Sequence, residues 1–314
     1  MEELDFTDSK VLIVGDVMLD KYYFGKVERI SPEAPVPIVN IQKEESRLGG
    51  AANVANNIAS LGGQAYLCGF VGYDFAGKEL EHISKQRNIH TLLIHTQSPT
   101  ITKARIIGGK QQIVRVDYED KNGLTDENRK ALQEGIRNNV RDYDILILSD
   151  YGKGMFSENF CQELIQEAHQ QGKKVIIDPK GKNWKKYTGA DLVTPNVKEL
   201  SDIVGYSVEN NDKAIEKSAK EAIEANSLTA LLVTRSEKGM SLIGQHTLVH
   251  IPTHSEEVFD VSGAGDTVVA TLSTCLAKGM GIHSAIHTAI VAASIVIKKI
   301  GTATLTIEEL KSSL

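Results

Sequence analysis

The stretch DVSGAGDTVVA, residues 260–270, sets Gly263, Ala264 and Gly265 directly before an aspartate, Asp266, and an apolar run of helical character directly after it. Glycine has no Cβ, so backbone N–H groups there can come close to a ligand, and the start of a helix adds the positive end of its dipole. Together these features make an anion hole. A carboxylate in the same turn stands beside the anion and can take a proton from a hydroxyl attacking it, which is the chemistry of phosphoryl transfer. Taken alone, the stretch is equally a glycine-rich turn in which Asp266 only caps the helix.

Two further stretches carry polar groups at helix starts. In RLGGAANVANNIASLGG, residues 47–63, Gly49 and Gly50 precede a helix bearing Asn53, Asn56 and Asn57 in its first turns. An asparagine amide both donates to and accepts from sugar hydroxyls, and Asn53 is the candidate; solvent-facing asparagines are the alternative, and suit Asn56 or Asn57 at least as well. In DLVTPNVKEL, residues 191–200, Asn196 and Glu199 share one face of a helix start. They are placed to hold the water shell of Mg²⁺, or simply to form a capping box.

The elements that must position these residues read as βαβ units. Short β-branched runs at 10–16, 65–72, 144–150, 174–179, 191–196 and 230–236 alternate with amphipathic stretches of helical length, a rhythm that predicts a parallel sheet. Open sheets of this kind place their ligand crevice at the carboxyl ends of the strands. Residues 17–42 and 97–119 break the rhythm with short strands around Pro or Gly turns. They read as antiparallel strands of a small lid, with long surface loops as the alternative. The segment SAIHTAIVAASIVIKKIG, residues 284–301, reads as a mostly buried helix.

With 314 residues, 41% of them hydrophobic, and a formal net charge of −6, the chain is an ordinary α/β protein. Its charge gives no reason to expect nucleic acid as a partner, while a local basic pocket for a small anion remains compatible with it. Cys68, Cys161 and Cys275 lack metal-ligand or CxxC spacing and read as reduced core thiols. The start of the chain is acidic where a signal peptide is basic, and no apolar run approaches the roughly 18 residues that span a bilayer, so the expected location is the cytoplasm, with no membrane partner.

LGGAANVA with ASLGG, TPNVKE, VTRSEKGM (233–240) and DVSGAGDTVVA occur together in an order and spacing that resemble the ribokinase-like carbohydrate kinases, the PfkB family. The resemblance covers nearly the whole chain and implies a three-layer α/β/α sandwich with a small β-sheet lid, ATP as donor, Mg²⁺, and phosphoryl transfer to a sugar hydroxyl; a monovalent cation is left open. By resemblance Asp266 is the catalytic base and Gly263, Ala264 and Gly265 the anion hole. Asn196 and Glu199 match the metal-linked motif, with Asn196 also near the nucleotide. Asp16, Gly49, Gly50 and Asn53 match sugar contacts, and Thr234, Arg235 and Gly239 lie in a segment resembling part of the nucleotide site.

Residues 15–39, 148–157 and 178–199, with RISPEAPVP the most telling, resemble the D-glycero-D-manno-heptose-7-phosphate kinases. That implies phosphorylation of the C1 hydroxyl on the way to nucleotide-activated heptose. Many relatives carry a C-terminal nucleotidyltransferase, and the expectation here is one kinase domain over residues 1–314 without it. A phosphosugar needs cations, and the candidates are Lys103, Arg105, Arg115, Lys153, Lys180 and Lys182, with Lys153 and Lys180 favoured because they follow strand ends. The GGKQQ at 108–112 departs from the subfamily's expected pattern, although Lys110 could restore a charge. Apolar lid faces such as VPIVNI suggest a homodimer. The rival readings are a kinase for ribose, fructose or a hexose 6-phosphate, and a non-catalytic sugar-binding regulator. A dinucleotide-binding oxidoreductase lacks its G-x-G-x-x-G turn after the first strand.

Overall fold

The computed structural model describes residues 4–120, 123–253 and 260–314, so the first three residues of the acidic start lie outside them. The elements in chain order are β1 (Lys10–Gly15), β2 (Val17–Ile30), β3 (Pro37–Gly50), α1 (Ala51–Ser60), β4 (Gln64–Gly72), α2 (Phe75–Gln86), β5 (His90–Thr96), β6 (Ile101–Gly108), β7 (Gln111–Tyr118), α3 (Asp126–Asn139) and β8 (Ile145–Ser149). They continue with α4 (Glu158–Gln170), β9 (Lys174–Asp178), β10 (Leu192–Val193), α5 (Val197–Val204), α6 (Asp212–Asn226), β11 (Ala230–Thr234), β12 (Met240–Gly244), β13 (Leu248–Ile251), α7 (Ala264–Ala277), α8 (Ile282–Val296) and α9 (Ile307–Ser313).

The main sheet has the order β13-β12-β11-β10-β9-β8-β1-β4-β5. Its pairs from β11 to β5 are parallel, and β12 and β13 add an antiparallel edge. Side chains alternate across a strand, and β1 shows what that does here. Val11 and Ile13 enter one core, with Ile58, Val268, Leu272 and Ile286; Leu12 and Val14 enter the other, with Leu132, Ile136, Leu164 and Ile215. The two cores lie on opposite faces of the sheet, which gives the expected α/β/α layering. The parallel reading holds from β11 to β5 and misses the antiparallel edge of β12 and β13, and β5 adds a parallel strand that the apolar rhythm did not mark. The helix expected near 284–301 is α8, with Ala285, Ile286, Ala289 and Ala292 buried, and Cys68, Cys161 and Cys275 are buried free thiols.

The lid is a second sheet of order β3-β2-β6-β7. Its hairpins β2–β3 and β6–β7 are antiparallel and meet through a parallel β2–β6 pair, which removes the surface-loop alternative. The first excursion ends at Gly50 rather than 42, because β3 continues through the charged KEESR before delivering Gly49 and Gly50 to the start of α1. Lid and crevice are therefore joined without a linker.

Candidate functional site

Helix α7 begins at Ala264 with Gly263 as its N-cap at φ 79°. A Cβ at Gly263 would also stand 2.9 Å from the Asn53 side-chain nitrogen, so glycine is needed both for the left-handed turn and for that close approach. The turn carries Asp266 into the crevice at 5% exposure. Asn53 Nδ2 donates to Asp266 Oδ2 at 2.7 Å, and the Tyr151 phenol donates to Oδ1. Burial pushes the Asp266 carboxyl up to about 6; the donors Asn53 and Tyr151 oppose it, as does the charge of Lys103, while Asp20 adds to it. Ala264 N–H is taken by Val261 O at 3.2 Å, whereas the amides of Gly265 and Asp266 in this first turn have no intrahelical partner. Beside Gly265 there is open space, since a Cβ there would meet no atom within 4 Å. Asn57, offered as solvent-facing, is fully buried: it donates to Asn53 O and accepts from Thr267 Oγ1, tying α1 to α7 behind the carboxylate. Asn56 is buried as well. A helix packed on both sides has no solvent face to give them.

Asp266 opens into a cavity of about 260 Å³ whose walls include Asp20, Gly50, Lys103, Arg105, Tyr151 and Asp178. Arg105 Nη1 donates to Asp20 Oδ1 at 2.7 Å. A Cβ on Gly49 would come within 2.6 Å of Asp20 Oδ2, so Gly49 makes room for that ion pair. Lys103 Nζ sits 5.6 Å above the Tyr151 ring, and burial lowers its pKa. Of the other cations, Lys153 pairs with Glu119, Lys180 Nζ donates to Glu199 Oε1 at 2.8 Å, and Arg115 pairs with Asp117 on the exposed lid face. Lys110 is exposed at the hairpin between β6 and β7, and Lys182 lines a groove along α5 that shares Asn196 and Thr234 with the cavity. Neither Lys153 nor Lys180 lines the cavity among the described residues. Asp16 lies beneath it: Oδ2 accepts from Tyr151 N at 2.8 Å and Lys153 N at 3.1 Å, holding the loop after β8.

An apolar slot of about 380 Å³ adjoins on the other side, walled by Gly239, Met240, Val268, Ile290, Ala293 and Ile297. Thr234 and Gly265 line both spaces and so join them. Arg235 does not reach either. It is 3% exposed, with Nη1 donating to Asp212 Oδ1 at 2.6 Å and Ser241 Oγ at 2.9 Å, which staples the start of α6 to β12. Asn196 and Glu199 form the capping box of α5 while lining the cavity. Asp178, at the end of β9, has its pKa driven well above the carboxylate range by burial, then by Asp266 and Glu199. No group of three or more His, Cys, Asp or Glu among the described residues forms a direct metal cage. Magnesium keeps several waters and needs few protein oxygens, and the carboxyls of Asp178 and Glu199 in the cavity wall fit an ion held that way. Tyr151, Asp178 and Asp20 have no local signature of their own: Asp178 ends β9, Tyr151 follows β8, and Asp20 lies within β2.

Residues 8–309 match the model of the pfkB family of carbohydrate kinases. The chain belongs to that family and is a phosphotransferase that acts on a sugar hydroxyl, with ATP implied as co-substrate. It is 45% identical over 311 residues to the bifunctional protein HldE of Hydrogenovibrio crunogenus and 45% identical over 312 residues to that of Haemophilus influenzae, in each case over 99% of this chain. The chain spans 64% of the length of these relatives. Among solved structures, phosphofructokinase-2 from Escherichia coli in complex with potassium superposes at a TM-score of 0.81 with 20% identity, covering 98% of both chains. Ribokinase from Thermotoga maritima superposes at 0.75 with 20% identity, covering 97% of this chain and 98% of its own. Both share the fold.

Proposed function

We propose that this chain transfers the γ-phosphoryl group of ATP to the C1 hydroxyl of D-glycero-D-manno-heptose 7-phosphate, giving the 1,7-bisphosphate used to make nucleotide-activated heptose. The observation that carries the reading is the place of Asp266, a buried carboxylate at a helix start, between a cavity bearing Lys103 and Arg105 and an apolar slot. The sugar hydroxyl gives its proton to Asp266 as its oxygen attacks the γ-phosphorus, and the amides of Gly265 and Asp266 meet the developing charge. Asn53, Gly49, Gly50 and Asp20 shape the sugar side. Lys103 and Arg105, rather than Lys153 and Lys180, face the space where the sugar phosphate would sit. The slot takes the adenine, with Thr234 and Asn196 toward its phosphates. Glu199 and Asp178 would hold Mg²⁺ through water, and the ion when bound neutralises phosphate charge.

The 45% identity to proteins named HldE supports the heptose over ribose or fructose 6-phosphate. Incubation with ATP, Mg²⁺ and a panel of these sugars, with ADP release measured and the new phosphate located by ³¹P NMR, decides it. Selective formation of a heptose C1 phosphate is the expected result. Turnover with another sugar alone removes the heptose and keeps the kinase; no turnover with any removes the catalytic reading.

The reading includes a cytoplasmic enzyme, since ATP is its donor; no helix among the described residues is long and apolar enough to cross a membrane. It also includes a homodimer through the lid, where Val27, Ile41, Val114 and Val116 are exposed. Light scattering at low concentration should give twice the chain mass, and the monomer mass would reject the pairing.

A further inference from the structure

We infer that Tyr151 is a positioning residue for the base: its phenol orients the Asp266 carboxylate and holds it in its ionised form. The inference rests on Asp266 acting as the base. Tyr151 lines the cavity, and its hydroxyl donates to Asp266 Oδ1 while Asn53 Nδ2 donates to Oδ2, so each carboxylate oxygen has one donor from a different element. Tyr151 is itself held, twice through the backbone of its loop and once at its ring. Asp16 Oδ2 accepts its backbone N–H at 2.8 Å, Asp150 Oδ1 accepts the next amide, Gly152 N, at 2.6 Å, and Lys103 Nζ lies over its ring at 5.6 Å. Removal from water, then the charge of Asp266, raises the Tyr151 pKa well above its ordinary value, which favours the protonated phenol that donates in this bond.

A donor to a carboxylate favours its ionised form, and two such donors offset part of the burial that raises Asp266. The charged groups that face the same cavity are Asp20 from β2, Lys103 and Arg105 from β6, Asp178 from the end of β9 and Glu199 from α5. Asn53, from α1, is neutral. Of these partners only Tyr151 and Asn53 hydrogen-bond the base, and only Tyr151 hangs from a loop rather than a helix. Nothing in DYGKG announces this role from the sequence, because the bond spans 115 residues.

The test is the pH dependence of kcat/KM with the sugar that the enzyme turns over. In the parent, activity falls as pH drops through the base's pKa. Tyr151→Phe deletes one oxygen and should move this acidic limb upward by about one pH unit, since a hydrogen bond to a charged group carries roughly that much. Uniform replacement of tyrosine by 3-fluorotyrosine strengthens the donor without removing an atom and should move the limb downward; the same label in Tyr151→Phe is its control. A limb that stays in place in both proteins overturns the inference, and if Tyr151→Phe does not fold, the fluorinated parent decides alone. Asp266→Asn separates the two levels. Normal turnover in Asp266→Asn removes the base itself, whereas a dead Asp266→Asn with an unmoved limb in the tyrosine variants removes only Tyr151.

Discussion

The end of β1 and the start of α7 each bury an aspartate, and the two carboxylates have the same raised proton affinity. Asp16 is 3% exposed and Asp266 5%, and burial pushes each up to about 6. Their partners differ. Asp16 is held by the backbone amides of Tyr151 and Lys153, with Asp150 adding repulsion, beneath the cavity floor. Asp266 is held by two side chains, Asn53 and Tyr151, and opens onto the cavity. Backbone donors cannot swing away from an acceptor, whereas side-chain donors can yield an oxygen to an incoming hydroxyl. A shifted pKa marks both regions, and what differs between them is the donors: backbone amides for Asp16, side chains for Asp266.

The largest expected effect breaks the pair apart. Asp266→Asn should leave sugar and nucleotide binding in place and lower turnover by at least roughly a hundredfold, the lower range for a general base. Asp16→Asn keeps an oxygen for both amides and should cost no more than about tenfold, chiefly through the loop that carries Tyr151. Steady-state kinetics on the two variants check this, and equal losses would mean that the two carboxylates share one role.

What the sequence disclosed of these regions follows the range of the interactions. Gly263, Ala264, Gly265 and Asp266 are neighbours in the chain, so their turn was legible from local rules, while the roles expected of them came from the family resemblance. The same holds for Asn196 and Glu199, whose capping box is a three-residue pattern. The central strands showed as apolar runs because both faces of the sheet are buried, while β3 stayed hidden past residue 42 because its charged residues lie in the lid. Part of the cavity wall was not legible: Asp20, Tyr151 and Asp178 come from β2, the loop after β8 and the end of β9, and meet only when the crossovers are laid down. Among the cations near strand ends, sequence position ranks Lys153 and Lys180 first. In the fold both are in ion pairs, with Glu119 and Glu199, and neither lines the cavity among the described residues; pairing across the fold leaves no local trace. Arg235 lies in a recognisable motif yet turns into the α6–β12 staple, so a motif locates a backbone segment better than it aims a side chain.

The next effect is on stability. Asp16 holds its proton up to about 6 in the fold against 3.8 for the ordinary carboxyl, so between those values the folded state binds the extra proton and stability falls as pH rises through 6. Above that, the buried charge costs about 3 kcal/mol. Asp16→Asn should thus stabilise the protein by up to about 3 kcal/mol at pH 8, shrinking to about 1 kcal/mol at pH 4.5. Urea unfolding at both values measures it, and a gain that grows toward low pH would show that Asp16 is ionised at a net benefit.

The smallest expected effect sharpens the comparison from outside the pair. Lys103 faces Asp266 and lowers its pKa, and it is absent from the charges that set Asp16. Its ammonium rests over the Tyr151 ring and forms no ion pair with a carboxylate among the described residues, unlike Arg105, which pairs with Asp20. A half-buried cation in that position has a phosphate as its natural complement, and one charge-assisted hydrogen bond is lost when it is removed. Lys103→Met should raise KM for the phosphorylated sugar about tenfold, the lower range for a hydrogen bond to a charged group, and leave KM for ATP in place. The acidic limb should also move up, because a cation that favours the ionised base has gone, while the pH dependence of stability assigned to Asp16 stays as it was. A rise in KM for ATP without one for the sugar would put Lys103 on the nucleotide side of the crevice, and an unmoved limb would show that its charge does not reach the base.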